Sequence, residues 1–287
     1  MAIDLNLAVH KLRAVRAKVR EQSASTWAEL EVLCANIPAT IGKVQIWQMG
    51  KDKPCWSNIQ VPTGERIVSD LQRSTDFQSS ATIASASWLM VRNPQLGRSS
   101  SAFTLEGDSV RAFIAGLQPG GLKSYVWRLY AIRELAKGLE SNANPKLTAL
   151  IQELITKQSF TGSEIERWTK NFAKHVGYGW GYITVNHMLT DLGVSIKPDV
   201  WVRRSAVRLG LIEGVPSDSA FEHIDALPEK VDFQIINIAL DAAGLIEPLV
   251  AVQTSDPKLK KRLALREIDL CLMRWGKLGL LNDDLVL

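Results

Sequence analysis

The sequence predicts a mainly helical globular protein, and three observations carry that prediction. From Ile67 onward, apolar residues recur at three- and four-residue spacing. The runs are separated by short clusters such as Asn93-Pro94, Pro119-Gly120-Gly121 and Asn144-Pro145, which stop a helix and turn the chain. Hydrophobic residues make up 46% and charged residues 22%, with a mean hydropathy of -0.01, a balance that suits a folded, water-soluble chain and not a disordered one.

The N-terminal segment reads as one long helix from Asp4 to Asn36, with Leu5, Val9, Leu12, Val15 and Val19 on one stripe and His10, Lys11, Arg13, Arg16, Lys18 and Arg20 on the other faces. Residues 37–66 differ. Pro38, Gly42, Gly50, Pro54, Pro62 and Gly64 punctuate short runs that alternate apolar and polar residues, so a small β-hairpin is expected near residues 43–61. Helices are then expected over 76–92, 109–117, 123–139 and 146–156. A capping box of Ser163 and Glu166 opens another at 163, because each side chain can bond the other's backbone N–H. Further helices are expected over 182–192, 200–209, 231–243 and 258–275.

The 287 residues leave room for one large domain or two small ones. The expected division is an N-terminal helix and irregular extension, 1–66, followed by a helical core, 67–287. No run of about 18 apolar residues occurs, and the N-terminus has no apolar stretch before a cleavage site. No membrane association and a cytoplasmic location, at the nucleoid in a bacterium, are therefore expected. The 34 basic and 30 acidic residues give a net charge of +4, a mild lean towards anionic partners. Three scattered cysteines, Cys34, Cys55 and Cys271, exclude a four-cysteine zinc or iron–sulfur site, and the four histidines, His10, His175, His187 and His223, have no metal-ligand spacing. No metal held by side chains is expected.

The segment that carries chemistry runs from Ser163 to Glu213. A capped helix leads into Val176-Gly177-Tyr178-Gly179-Trp180-Gly181, and a second helix starts near Tyr182. Glycine alone enters positive φ freely and lets another backbone come close. A helix that starts directly after such a turn points unbonded N–H groups outward, which together with its dipole can hold an anion such as a phosphate. Glycine-rich turns between helices are common, and close packing of the two helices is their usual explanation. Asp199, 18 residues after Gly181, follows Lys197-Pro198 and precedes the helical run Val200-Trp201-Val202-Arg203-Arg204. Its local reading is an N-cap; its functional reading is a carboxylate at the mouth of a cleft, and one residue can do both. From Phe160 to Ile212 there are seven basic residues against four acidic ones, which agrees with phosphate binding, although Arg203 and Arg204 could equally pair with helix carboxylates.

Taken together, these motifs resemble the helix-hairpin-helix DNA glycosylase superfamily. Gly179-Trp180-Gly181-Tyr182-Ile183-Thr184-Val185-Asn186 falls on its hairpin pattern, Asp199-Val200-Trp201-Val202-Arg203-Arg204 on its second motif, and Arg208-Leu209-Gly210-Leu211 follows in order. The helix through Arg133-Glu134-Leu135-Ala136 and the closing Arg266-Glu267-Ile268-Asp269-Leu270 also look similar. The resemblance spans about residues 67–287, with the hairpin at 163–192.

It implies a two-lobed helical fold with a DNA-binding cleft and an enzyme that excises a flipped base. Asp199 would stabilise the oxocarbenium-like sugar and position water. Gly177, Gly179, Gly181 and Thr184 would hold a phosphate of double-stranded DNA, with a monovalent cation on the hairpin backbone as the only cofactor; no protein partner is implied. Tyr182 and Trp201 are candidates for the base pocket, with Trp180 assigned to the core, and Lys197, Arg203 and Arg204 are candidate DNA contacts. A residue that plugs the gap left by the base is expected after Trp88, with Arg92 and Asn93 as candidates. Ile183 stands where strand-cutting members carry a Schiff-base lysine, so the resemblance implies a monofunctional glycosylase that leaves an abasic site. The target would be an alkylated purine, in repair, or a hypermodified base of the phage type, in defence. The alternatives are a non-catalytic helix-hairpin-helix DNA-binding protein and a helical scaffold with no nucleic-acid role.

Overall fold

Helical periodicity is realised over most of the chain in the computed structural model, which describes residues 4–22, 24–57, 59–217, 224, 227–250 and 254–279. Thirteen α-helices and one two-stranded antiparallel sheet make up the regular structure of the described residues. The N-terminal stretch forms two helices, α1 (Leu5–Gln22) and α2 (Ala24–Ala35), because the buried stripe ends at Val19 and resumes at Trp27.

The β-hairpin expected near 43–61 is not formed. Its place is taken by α3 (Lys43–Gly50), a 3-10 turn over Lys53–Trp56 and the start of α4 (Val61–Gln72). The apparent alternation misled because Val44 is exposed, while the buried residues Ile46, Trp47 and Gly50 share a helix face. The Gln45 side chain accepts the Gly42 N–H at 3.0 Å and caps this helix. Pro62 sits in the first turn of α4, where its missing N–H is harmless.

The helix expected over 76–92 is also corrected. Only α5 (Ser80–Ala84) is α-helical there, flanked by 3-10 turns, because Phe77 and Ile83, both buried, are spaced so that one helix would put them on different faces, and serines 79 and 85 bound the segment. The sheet lies further on: β1 (Met90–Arg92) pairs with β2 (Phe103–Leu105), Arg92 opposite Phe103. Later helices follow the periodicity: α6 (Asp108–Gly116), α7 (Val126–Glu140), α8 (Pro145–Lys157), α9 (Gly162–Val176), α10 (Tyr182–Asp191), α11 (Val200–Arg208), α12 (Glu229–Ala243) and α13 (Pro257–Lys277). The start of α9 is set two residues earlier than the expected box: Glu164 accepts the Thr161 N–H at 3.0 Å. Its carboxyl is held far below the ordinary carboxylate range, to about 2, by the Lys157 ammonium first and that N–H second. No helix among the described residues is long and apolar enough to cross a membrane.

The chain divides into two compact units. Unit one gathers the described residues of Met1–Ala39, Lys157–Arg167 and Leu189–Leu287; unit two gathers Thr40–Thr156 and Trp168–Met188. In unit one, α13 is the central helix, packed against α1, α2, α11 and α12. Its buried Arg262 donates to the carbonyls of Pro38 (2.8 Å), Ala39 (3.2 Å) and Leu192 (2.8 Å), and so fixes the chain entering the 192–199 segment. Glu267, fully buried, pairs with Arg16 of α1 and accepts the Leu249 N–H at 2.9 Å. In unit two, α7 is central and packs against α3 and α5. Phe77, Trp88 and Phe113 form an aromatic trio with ring centroids 5.1–5.4 Å apart.

Candidate functional site

The glycine turn belongs to unit two. Helix α9 ends as Gly177 N–H bonds Ala173 O at 3.1 Å, and Gly177 then takes φ of 94°, a left-handed position that glycine enters without strain. Trp180 N–H closes the turn on Gly177 O at 3.1 Å, and Val185 N–H bonds Gly181 O at 3.1 Å as α10 begins. Gly179 is demanded twice: its φ is 87°, and a Cβ there would stand 2.4 Å from Ala131 Cβ. Gly181 is demanded by neither criterion, since its φ lies outside the left-handed region and the space over it is open. That is the position where a ligand's close approach would favour glycine. The first-turn amides of α10 have no carbonyl of their own helix to bond. Thr184 lies in that first turn and is buried, while Tyr182 and Ile183 are half-buried. The carbonyls of Gly177 and Gly181 each accept one N–H and keep a second lone pair, the kind of oxygen donor a monovalent cation takes.

The aromatic residues of the turn divide by role. Trp180 is core: it is buried and its Nε1 donates to Ala131 O at 2.8 Å. Tyr178 is a bracket. Its hydroxyl donates to Gly97 O at 3.3 Å, its ring lies 6.0–6.3 Å from those of Phe103, Tyr130 and Trp127, and the Arg92 guanidinium stacks over it at 3.6 Å. Arg92 therefore ends β1 facing an aromatic ring, and Asn93 caps the 3-10 turn after it by accepting the Gln95 N–H at 3.0 Å.

Asp199 belongs to unit one and caps α11. Its Oδ1 accepts the N–H groups of Trp201 at 2.9 Å and Val202 at 3.0 Å, and its own N–H donates to Lys197 O at 2.7 Å across Pro198. Both cap bonds fall on one oxygen; no described residue bonds Oδ2, and the residue is half-buried. A carboxylate with one oxygen locked and the other available has a fixed direction for its charge.

That direction is supported from beneath by α13. Asp269 Oδ1 accepts the Lys197 N–H at 2.9 Å, and its Oδ2 accepts from Arg266 at 3.1 Å, while Arg266 also pairs with Asp191 at 2.8 Å. Burial pushes the Asp269 carboxyl up to about 6. Arg266 and the Lys197 N–H oppose the shift, and the nearby Asp199 and Asp191 charges add to it. Close approach of α11 to α13 is allowed by Gly276, whose Cβ would meet Trp201 O at 3.0 Å, and is pinned by Ser205 Oγ donating to Leu272 O at 2.7 Å.

The basic candidates separate. Arg203 is engaged bidentately by the fully buried Asp232 at 2.7 and 2.6 Å, so its guanidinium serves the packing of α11 on α12. Arg204 lies 5.1 Å over the half-buried Trp201, with its Nε buried and unbonded. Lys197 is half-buried and its ammonium has no ionic partner among the described residues. His223 lies outside the described residues, and among those described no three His, Cys, Asp or Glu side chains converge as a metal site.

Sequence reasoning missed two groups that matter here. Asp269 carries a signal only in that it is an acid on the apolar-rich closing helix. The Arg98, Trp127 and Tyr130 groups that join Arg92 around Tyr178 had a partial signal, Trp127 and Tyr130 being three apart on one helix; Arg92 itself was a candidate only for filling the gap left by a base. No family model, curated protein or solved structure matches this chain.

Proposed function

We propose that the protein is a monofunctional DNA glycosylase of the helix-hairpin-helix kind, acting on double-stranded DNA. The observation that supports this best is Asp199: a cap carboxylate oriented through Oδ1, with Oδ2 unbonded among the described residues, in the sequence position of the family's essential acid. In the reaction the base–C1′ bond breaks with its electron pair leaving on the base, and positive charge develops on the sugar. Asp199 stabilises that charge and orients the water whose oxygen bonds C1′; the water's proton passes, through the carboxylate or solvent, to the departing base. The first-turn amides of α10 and its dipole hold a strand phosphate, and a monovalent cation on the turn carbonyls would add positive charge there. Ile183 supplies no amine, so the strand is left uncut and the product is an abasic site. Alkylated purines and hypermodified bases are the substrate classes to screen.

The test is formation of alkali-labile sites in DNA panels carrying such bases, by the wild type and by Asp199→Asn. Asparagine keeps the cap oxygen and loses the charge, so activity should fall by roughly 100-fold or more while folding is retained. Equal activity removes Asp199 from the mechanism. The non-catalytic reading has one observation in its favour, that the cap bonds alone account for an aspartate at 199. It expects salt-sensitive DNA binding and no abasic product on any substrate.

A further inference from the structure

Unit two carries guanidinium groups that the proposed chemistry does not use. Arg92 stacks on Tyr178 at 3.6 Å and its Nε is buried without a hydrogen-bond partner. Arg98, on the exposed loop between β1 and β2, stands 4.9 Å over Trp127. Behind them, Arg128 lies 4.5 Å over the same indole and donates to Ser57 O at 2.9 Å, and the buried Arg133 has Glu134 3.7 Å away. Glu134 is itself shared with Lys137 at 3.1 Å. Among the described residues neither Arg92 nor Arg98 has a carboxylate partner, while the Tyr178 hydroxyl ties their loop to the glycine turn through Gly97 O.

Stacking fixes the plane of a guanidinium but leaves its N–H edge unbonded, and that edge matches two oxygens of a phosphate. Arg92 and Arg98, like charges with no carboxylate partner of their own among the described residues, are costly to the free protein and favourable once an anion lies across them. Arg98 lies on the exposed loop and the half-buried Arg92 at the end of β1 where that loop begins, an open arrangement that suits an extended polyanion better than a small one. We infer that the β1–β2 loop and the Tyr178 turn form a DNA-backbone surface on which Arg92 and Arg98 each engage a phosphate, with Tyr178 and Trp127 holding their planes. This rests on the DNA reading above but not on catalysis.

The experiment is the salt dependence of duplex DNA binding by the full chain. Replacing both residues (Arg92→Gln with Arg98→Gln) should flatten the slope of log K against log salt by about 1 to 2 and weaken binding about tenfold or more near 0.1 M salt. The corresponding double lysine variant should recover most of the slope. Arg98→Gln alone, at an exposed position, should remove about half of the effect and guards against a folding defect in the double variant. An unchanged slope in a folded variant overturns the inference and leaves the glycosylase reading intact. A flattened slope in a protein that makes no abasic site supports the surface and sinks the glycosylase. A wild type that shows no salt-sensitive DNA binding overturns both.

Discussion

The Oδ1 atom of Asp269 accepts the backbone N–H of Lys197 at 2.9 Å, so a buried acid on α13 holds the segment that presents Asp199. Because burial first, and the Asp199 and Asp191 charges after it, lift the Asp269 carboxyl from 3.8 to about 6, the folded state binds this proton more tightly than the unfolded state does. Its contribution to stability is therefore fully present below about pH 4 and is lost as pH rises through 6, a swing of about 3 kcal/mol. Denaturant unfolding of wild type and Asp269→Asn at several pH values checks this. The variant should lose ground to the wild type steadily as pH falls from 7.5 to 4, and a constant difference would contradict it.

Truncating the cap separates stability from chemistry. Asp199→Ala should cost about 1 kcal/mol in urea unfolding, because the Trp201 and Val202 amides lose their acceptor, whereas Asp199→Asn should cost little. Both variants should lose roughly 100-fold or more in abasic-site formation. An alanine variant as stable as wild type would mean that the cap bonds contribute nothing.

The turn glycines should behave differently from one another. Gly179→Ala places a methyl 2.4 Å from Ala131 Cβ at a positive φ, and should destabilise the fold by more than about 1 kcal/mol. Gly181→Ala meets no atom within 4 Å, so its melting temperature should match wild type while DNA affinity falls. Unchanged affinity in that variant would leave the turn with a packing role alone.

Arg203→Ala should act on folding more than on DNA. It removes the bidentate partner of the fully buried Asp232, at a cost of about 3–5 kcal/mol in chemical denaturation. Arg203→Ala with Asp232→Ala should recover much of that loss, whereas a contact made only with DNA would show no such coupling.

Local features of this protein are legible in the chain alone. The helices from residue 108 onward, the glycine turn between α9 and α10 and the cap at Asp199 each depend on residues within about four positions, where period, positive φ and capping bonds operate. The same logic failed over 43–61, where a few alternating residues satisfied both the strand and the helix period until packing buried Ile46 and Trp47 together. Only tertiary structure decided which charges are engaged and which are available. Arg203 and Arg204 are adjacent in the chain, yet Asp232, 29 residues beyond Arg203, binds one and not the other. Arg92 of β1 meets Tyr178 of the glycine turn, and Asp269 of α13 reaches Lys197, only because segments far apart in sequence are packed together. Such pairings are set by the shape of the core, and nothing in the local chemistry of either partner specifies them.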